Sequence, residues 1–78
     1  MWQEAHGKLI REYVFQNFYE AFGFLAQVGL FAEKYDHHPT IINTYNKVRL
    51  ELTTHSEWNI VTKKDHILAD AIDTISLI

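Results

Sequence analysis

The rhythm of apolar and polar residues changes repeatedly along the chain, and each stretch of constant rhythm predicts one element. Gly7 separates a short segment, Trp2–His6, from the run Lys8–Phe15, which is rich in β-branched and aromatic types. A hairpin turning near Gly7 is expected. In its second strand Leu9, Tyr13 and Phe15 share one face with Arg11, while Ile10 and Val14 share the other with Glu12. Neither face is plainly polar, so part of the second is expected to be covered, a partner subunit being one way. Asn17 suits an N-cap, and Phe18, Ala21, Phe22, Leu25, Val28, Gly29 and Ala32 recur at three-and-four spacing. That pattern predicts a helix running to about Tyr35. Phe24, Phe31 and Tyr35 make a second apolar ridge beside the first, which reads either as contact with another molecule or as a larger core.

The helix is expected to stop at Tyr35-Asp36-His37-His38-Pro39, because proline cannot continue it and pushes His38 towards an extended conformation. Strands Ile41–Tyr45 and Lys47–Thr54 follow, joined at Asn46, a residue tolerant of tight-turn geometry. In the latter, Val48, Leu50, Leu52 and Thr54 alternate with Lys47, Arg49, Glu51 and Thr53, the mark of a half-buried antiparallel strand. A polar loop from His55 to Val61 leads to Thr62-Lys63-Lys64-Asp65, a capping arrangement, and to a last helix docking through Leu68, Ala69, Ile72 and Ile75. The order ββαββα predicts an α+β fold, a four-stranded antiparallel sheet with two helices packed on one face, as a single domain over residues 1–78.

Composition narrows the function classes. A chain of 78 residues without cysteine has neither a disulfide nor a thiolate metal site to support a small core, so burial against further copies of itself is expected. Seven basic residues against ten acidic ones, scattered along the chain, argue against a nucleic-acid binder. No apolar run approaches the ~20 residues that span a bilayer, and the absence of cysteine fits a reducing cytoplasm. A soluble, cytoplasmic protein with no membrane partner is the expectation.

Three of the five histidines fall at junctions, His37 and His38 at the helix-to-strand corner and His55 just past a strand end. Loop histidines exposed to water are the bland reading of all three. Neighbours in an extended segment point to opposite sides, so His37 and His38 are poorly placed to ligate one ion, whereas one of them could share a pocket with His55. No spaced ligand motif is present, and a metal site is not expected. Glu33 could orient an imidazole or be a solvated helix-end acid. Asp65 reads first as a cap with Thr62. His6 and His66 are expected at the surface, and Trp58 is expected to fold back onto the core, with covering a flat ligand as its other use. Without a nucleophile arrangement, a phosphate loop or paired carboxylates on one element, histidine acid–base chemistry remains. One neutral and one protonated imidazole can remove and deliver a proton, and an elimination of water needs both acts.

Glu33-Lys34-Tyr35-Asp36-His37-His38-Pro39, Tyr45-Asn46-Lys47-Val48, Leu52-Thr53-Thr54-His55 and Thr62-Lys63-Lys64-Asp65 together resemble the pattern of the pterin-4a-carbinolamine dehydratases. The likeness extends from Trp2 to about Asp73. It implies dehydration of 4a-hydroxytetrahydropterin to quinonoid dihydropterin, with no metal or redox cofactor, and a functional link to an aromatic amino acid hydroxylase. It implies His37 and His55 as the proton-transferring residues, with His38, Glu33, Pro39 and Asp65 on the substrate side. A homodimer or homotetramer of the compact microbial type is the implied assembly. Thr40 and Ile41 stand where many members carry an acid and a tryptophan, which bears on pterin affinity more than on the reaction. From another class, a non-catalytic binding or dimerisation module on the same scaffold would also account for the second apolar ridge.

Overall fold

A computed structural model describes residues 1–77 of the chain. Strands β1 (Gln3–Ala5) and β2 (Lys8–Val14) form a hairpin, helix α1 spans Phe18–Lys34, strands β3 (Thr40–Thr44) and β4 (Lys47–Leu52) form a second hairpin, and helix α2 spans Lys63–Ile72. The sheet is antiparallel throughout, in the order β1-β2-β4-β3. This is the expected ββαββα arrangement. Its core joins Leu9 and Tyr13 of β2, Val48, Leu50 and Leu52 of β4, Ala21, Phe24 and Val28 of α1, and Leu68, Ala69 and Ile72 of α2. A fully buried leucine contributes about 1.5–3 kcal/mol relative to an exposed one, so Leu50, Leu52 and Leu68, each at 0% exposure, anchor the sheet to both helices.

The first hairpin turns through His6 and Gly7, both with positive φ, the two-residue geometry that matches strand twist. Gly7 is required on a second count, because a Cβ built there would run into the Asn59 carbonyl oxygen. In the second hairpin the left-handed residue is Tyr45 (φ 50°), not Asn46. Asn46 is engaged otherwise: its side chain donates to the Phe15 carbonyl at 2.9 Å and its own carbonyl accepts the Phe15 N–H at 2.8 Å. It ties the end of β2 to the turn.

Helix α1 begins as expected, with Asn17 Oδ1 accepting the Glu20 N–H at 2.9 Å. Its buried stripe differs from the sequence reading. Ala21, Phe24, Val28 and Ala32 face the core, whereas Phe18 and Phe22 are exposed. The helix is rotated so that Phe24 enters the aromatic stack with Tyr13 (4.6 Å between ring centres) and Phe15 (5.2 Å). The exposed large apolar positions of α1 are therefore Phe18, Tyr19, Phe22 and Leu30. On the outer sheet face Arg49 pairs with Glu12 and Glu51, and Lys8 with Glu51, around the half-buried Ile10 and the exposed Val14 and Ile42. Strand β4 stops at Leu52, and Thr54 pairs instead with Ile60, closing the loop that carries His55.

Candidate active site

The site begins where α1 ends. Asp36 takes a left-handed conformation (φ 49°), its N–H reaches the Glu33 carbonyl at 3.2 Å, and the His37 N–H reaches back to the Ala32 carbonyl at 3.0 Å. These two bonds define a Schellman turn, which satisfies the last helix carbonyls and reverses the chain. His37 is thereby turned inward while Pro39 leads into β3. The His37 ring is sheltered, with its side chain at 11% exposure, and Nε2 lies 2.5 Å from Asp65 Oδ1.

Asp65 belongs to the first turn of α2 and is completely buried. Every neighbour is a donor to it. Thr54 Oγ1 donates to Oδ2 at 2.7 Å, the Thr62 backbone N–H donates to the same oxygen at 2.9 Å, and Oδ1 takes His37. The Thr62 hydroxyl, 2.6 Å from Thr54 Oγ1, must donate to it, since the Thr54 proton is already committed to Asp65. Burial alone would push the Asp65 carboxyl up, but the hydrogen bonds from His37, Thr62 and Thr54 outweigh it and hold the group below its ordinary value of 3.8. An ionised acceptor fixes the His37 proton on Nε2 and leaves Nδ1 for other partners. The capping reading of Asp65 is correct but incomplete: one oxygen caps α2 and the other holds an imidazole. Asp65 has no exposed surface, and its carboxylate connects α2 to His37 on one oxygen and to Thr54 on the other.

His38 points away from His37, as neighbours in an extended segment do, and Nε2 meets Glu33 Oε1 at 2.7 Å in the open. Glu33 thus orients His38. His55 follows Thr54 directly and opens a single 3₁₀ turn, His55–Glu57, so the chain His37–Asp65–Thr54 leads to it. Its Nδ1 lies 2.6 Å from Asn59 Oδ1. Asn59 was not legible as a site residue; the available signal is an acceptor side chain four positions beyond a histidine in a turn-forming loop. Trp58 does not fold onto the core but stands 92% exposed in a left-handed conformation. His6 and His66 are at the surface, as expected.

A pocket that one of His37 and His38 could share with His55 is not among four clefts of about 280 to 470 Å³ lined by the described residues. Two of them, of about 470 and 280 Å³, lie along β2 and on the outer sheet face, among residues such as Arg11, Val14, Ile42 and Arg49. Only His37 is sheltered, because it alone has a buried partner. Among the described residues no group of three or more histidine, aspartate or glutamate side chains is gathered in a way that could hold a metal ion. Among the described residues no helix is long and apolar enough to cross a membrane.

Fold and site together define a small α+β protein in which a buried carboxylate steadies one imidazole and bonds the threonine that precedes a second, exposed one. A family model described as pterin 4 alpha carbinolamine dehydratase matches residues 1–75, and the chain belongs to that family. It is 52% identical over 65 residues to a Prochlorococcus marinus (strain NATL2A) protein provisionally named pterin-4-alpha-carbinolamine dehydratase, an overlap of 83% of this chain and 67% of the relative. The crystal structure of a transcriptional coactivator/pterin dehydratase from Brucella melitensis superposes with a TM-score of 0.86 at 44% identity, over 92% of this chain and 78% of that one. A pterin dehydratase-like protein, described as a RuBisCO assembly factor in the alpha-carboxysome, shares the fold at a TM-score of 0.74 and 18% identity, over 94% and 83% of the two chains.

Proposed function

We propose that the chain dehydrates 4a-hydroxytetrahydropterin to quinonoid dihydropterin by histidine acid–base catalysis. The observation that carries this reading is the buried His37–Asp65 pair, joined through Thr54 to the loop of His55, in a member of the dehydratase family. In the reaction the bond from C4a to its hydroxyl breaks, the oxygen leaves as water with a proton delivered to it, and a ring proton is taken up. His37 suits the donor role. The positive charge it holds before giving up a proton is compensated by ionised Asp65, and its Nδ1 is the nitrogen left to meet the substrate. His55, whose Nδ1 meets the neutral Asn59 amide, suits the acceptor role. His38, held by Glu33 beside Pro39, offers a polar edge for binding the pterin. Asp65 acts as a positioning residue.

The same reading places the protein in the cytoplasm beside an aromatic amino acid hydroxylase that generates the carbinolamine, and gives it a homodimeric or homotetrameric state. Supporting the assembly are the exposed Phe18, Tyr19, Phe22 and Leu30 of α1. That face also favours the second reading, a non-catalytic association module. Synthetic carbinolamine added to the purified protein and followed by ultraviolet absorbance separates the two. A dehydratase accelerates the decay, and an association module leaves the spontaneous rate untouched.

A further inference from the structure

The geometry points to Asn59 as a positioning residue that fixes the tautomer of His55, holding the proton on Nδ1 and leaving the Nε2 lone pair to receive the substrate proton. In its catalytic part this rests on the proposed role of His55; in its tautomer part it rests on geometry alone. The Asn59 side-chain oxygen lies 2.6 Å from His55 Nδ1, and an amide oxygen can only accept, so the ring nitrogen must donate. A neutral imidazole with Nδ1 protonated has its lone pair on Nε2.

The placement of Asn59 is held from both sides. Its N–H bonds the Thr54 carbonyl at 3.1 Å, and the next residue's carbonyl accepts the Thr54 N–H at 3.0 Å. Behind it lies Gly7, whose missing Cβ gives the Asn59 carbonyl room and whose own carbonyl accepts the Thr53 hydroxyl at 2.8 Å. Asn59 adopts φ 58°, a region in which Asn and Asp are the common non-glycine residues, and these two also carry an acceptor oxygen. The position therefore joins a backbone requirement to a side-chain one.

Ring-nitrogen NMR of the ¹⁵N-labelled full chain tests this, with the His55 signals assigned from a His55→Gln variant. His55 in the unsubstituted chain is expected to carry its neutral-state proton on Nδ1. Asn59→Gly keeps the left-handed backbone and removes the acceptor, so the population should move towards Nε2–H. Asn59→Asp keeps the acceptor and should retain Nδ1–H. His37 signals unchanged in both variants report an intact fold. On synthetic carbinolamine, Asn59→Gly should lower kcat by roughly ten- to hundredfold with KM little changed, the scale of a misplaced general base. Asn59→Asp should recover most of that loss and move the acid limb of the pH profile upward by about one unit, because a carboxylate favours the protonated ring. A His55 ring protonated on Nε2, or a tautomer ratio indifferent to Asn59→Gly, overturns the proposal. The ring spectra need no substrate, so they decide the role of Asn59 even in a chain that proves inactive.

Discussion

Asp65 shows how one buried side chain can satisfy a helix and a site together. Its carboxyl is held below 3.8 by the bonds from His37, Thr62 and Thr54, which outweigh the burial that opposes them. A carboxyl with a depressed folded value contributes stability above its unfolded value and loses it as pH falls through the folded one. The stability of the unsubstituted chain should therefore fall below pH 3.8 more steeply than that of Asp65→Asn, while at neutral pH the variant is weaker by about 1–3 kcal/mol. Thermal unfolding at stepped pH measures both; parallel acid limbs would show that Asp65 is not the ionised acceptor. On activity, His37→Ala and His55→Ala should each cost ~10²–10⁴ in kcat. His38→Ala should cost at most roughly tenfold, the scale of one exposed hydrogen bond. Equal, small losses at all three would remove the proton-transfer assignment. The corner and strand-end positions of the three histidines were legible because they are marked by Pro39 and by the end of the β4 alternation. Asn59 was not, since its role depends on a loop closed by the non-local Thr54–Ile60 pairing.

Elements were read well where one face decides them. Strand β4 alternates cleanly because β2 and β3 flank it and only one of its faces meets the helices, and Thr62 opens α2 because the cap is written in local residues. The rotation of α1 was misread because its aromatic residues surround most of the helix, and periodicity alone cannot rank Phe24 over Phe22; the Tyr13 and Phe15 rings across the layer make that choice. The Tyr45 turn was misplaced for a similar reason, as Asn46 is drawn off by Phe15. At this scale Gly7 links one hairpin to the His55 loop. Gly7→Ala should destabilise the chain by about 1–3 kcal/mol through its positive φ and the blocked approach of Asn59. Chemical denaturation measures the loss, and an alanine variant of unchanged stability would mean that the loop does not rest on the hairpin.

Over the whole molecule, a sheet with two helices on one face leaves the outer flank of α1 uncovered. Phe18 and Phe22 stack at 5.5 Å on that flank, with Tyr19 and Leu30 also in the open. Light scattering at micromolar concentration should report an assembly larger than 9.2 kDa, and Phe22→Glu should shift it towards the monomer, since a charge buried in an apolar contact is costly. A monomeric unsubstituted chain would contradict the assembly. The central claim, that one imidazole gives a proton while another takes one, is tested most directly by the pH dependence of kcat/KM for the decay of synthetic carbinolamine. A bell-shaped profile is expected, whose acid limb disappears in His55→Ala and whose alkaline limb disappears in His37→Ala. A profile that keeps both limbs in either variant would contradict it.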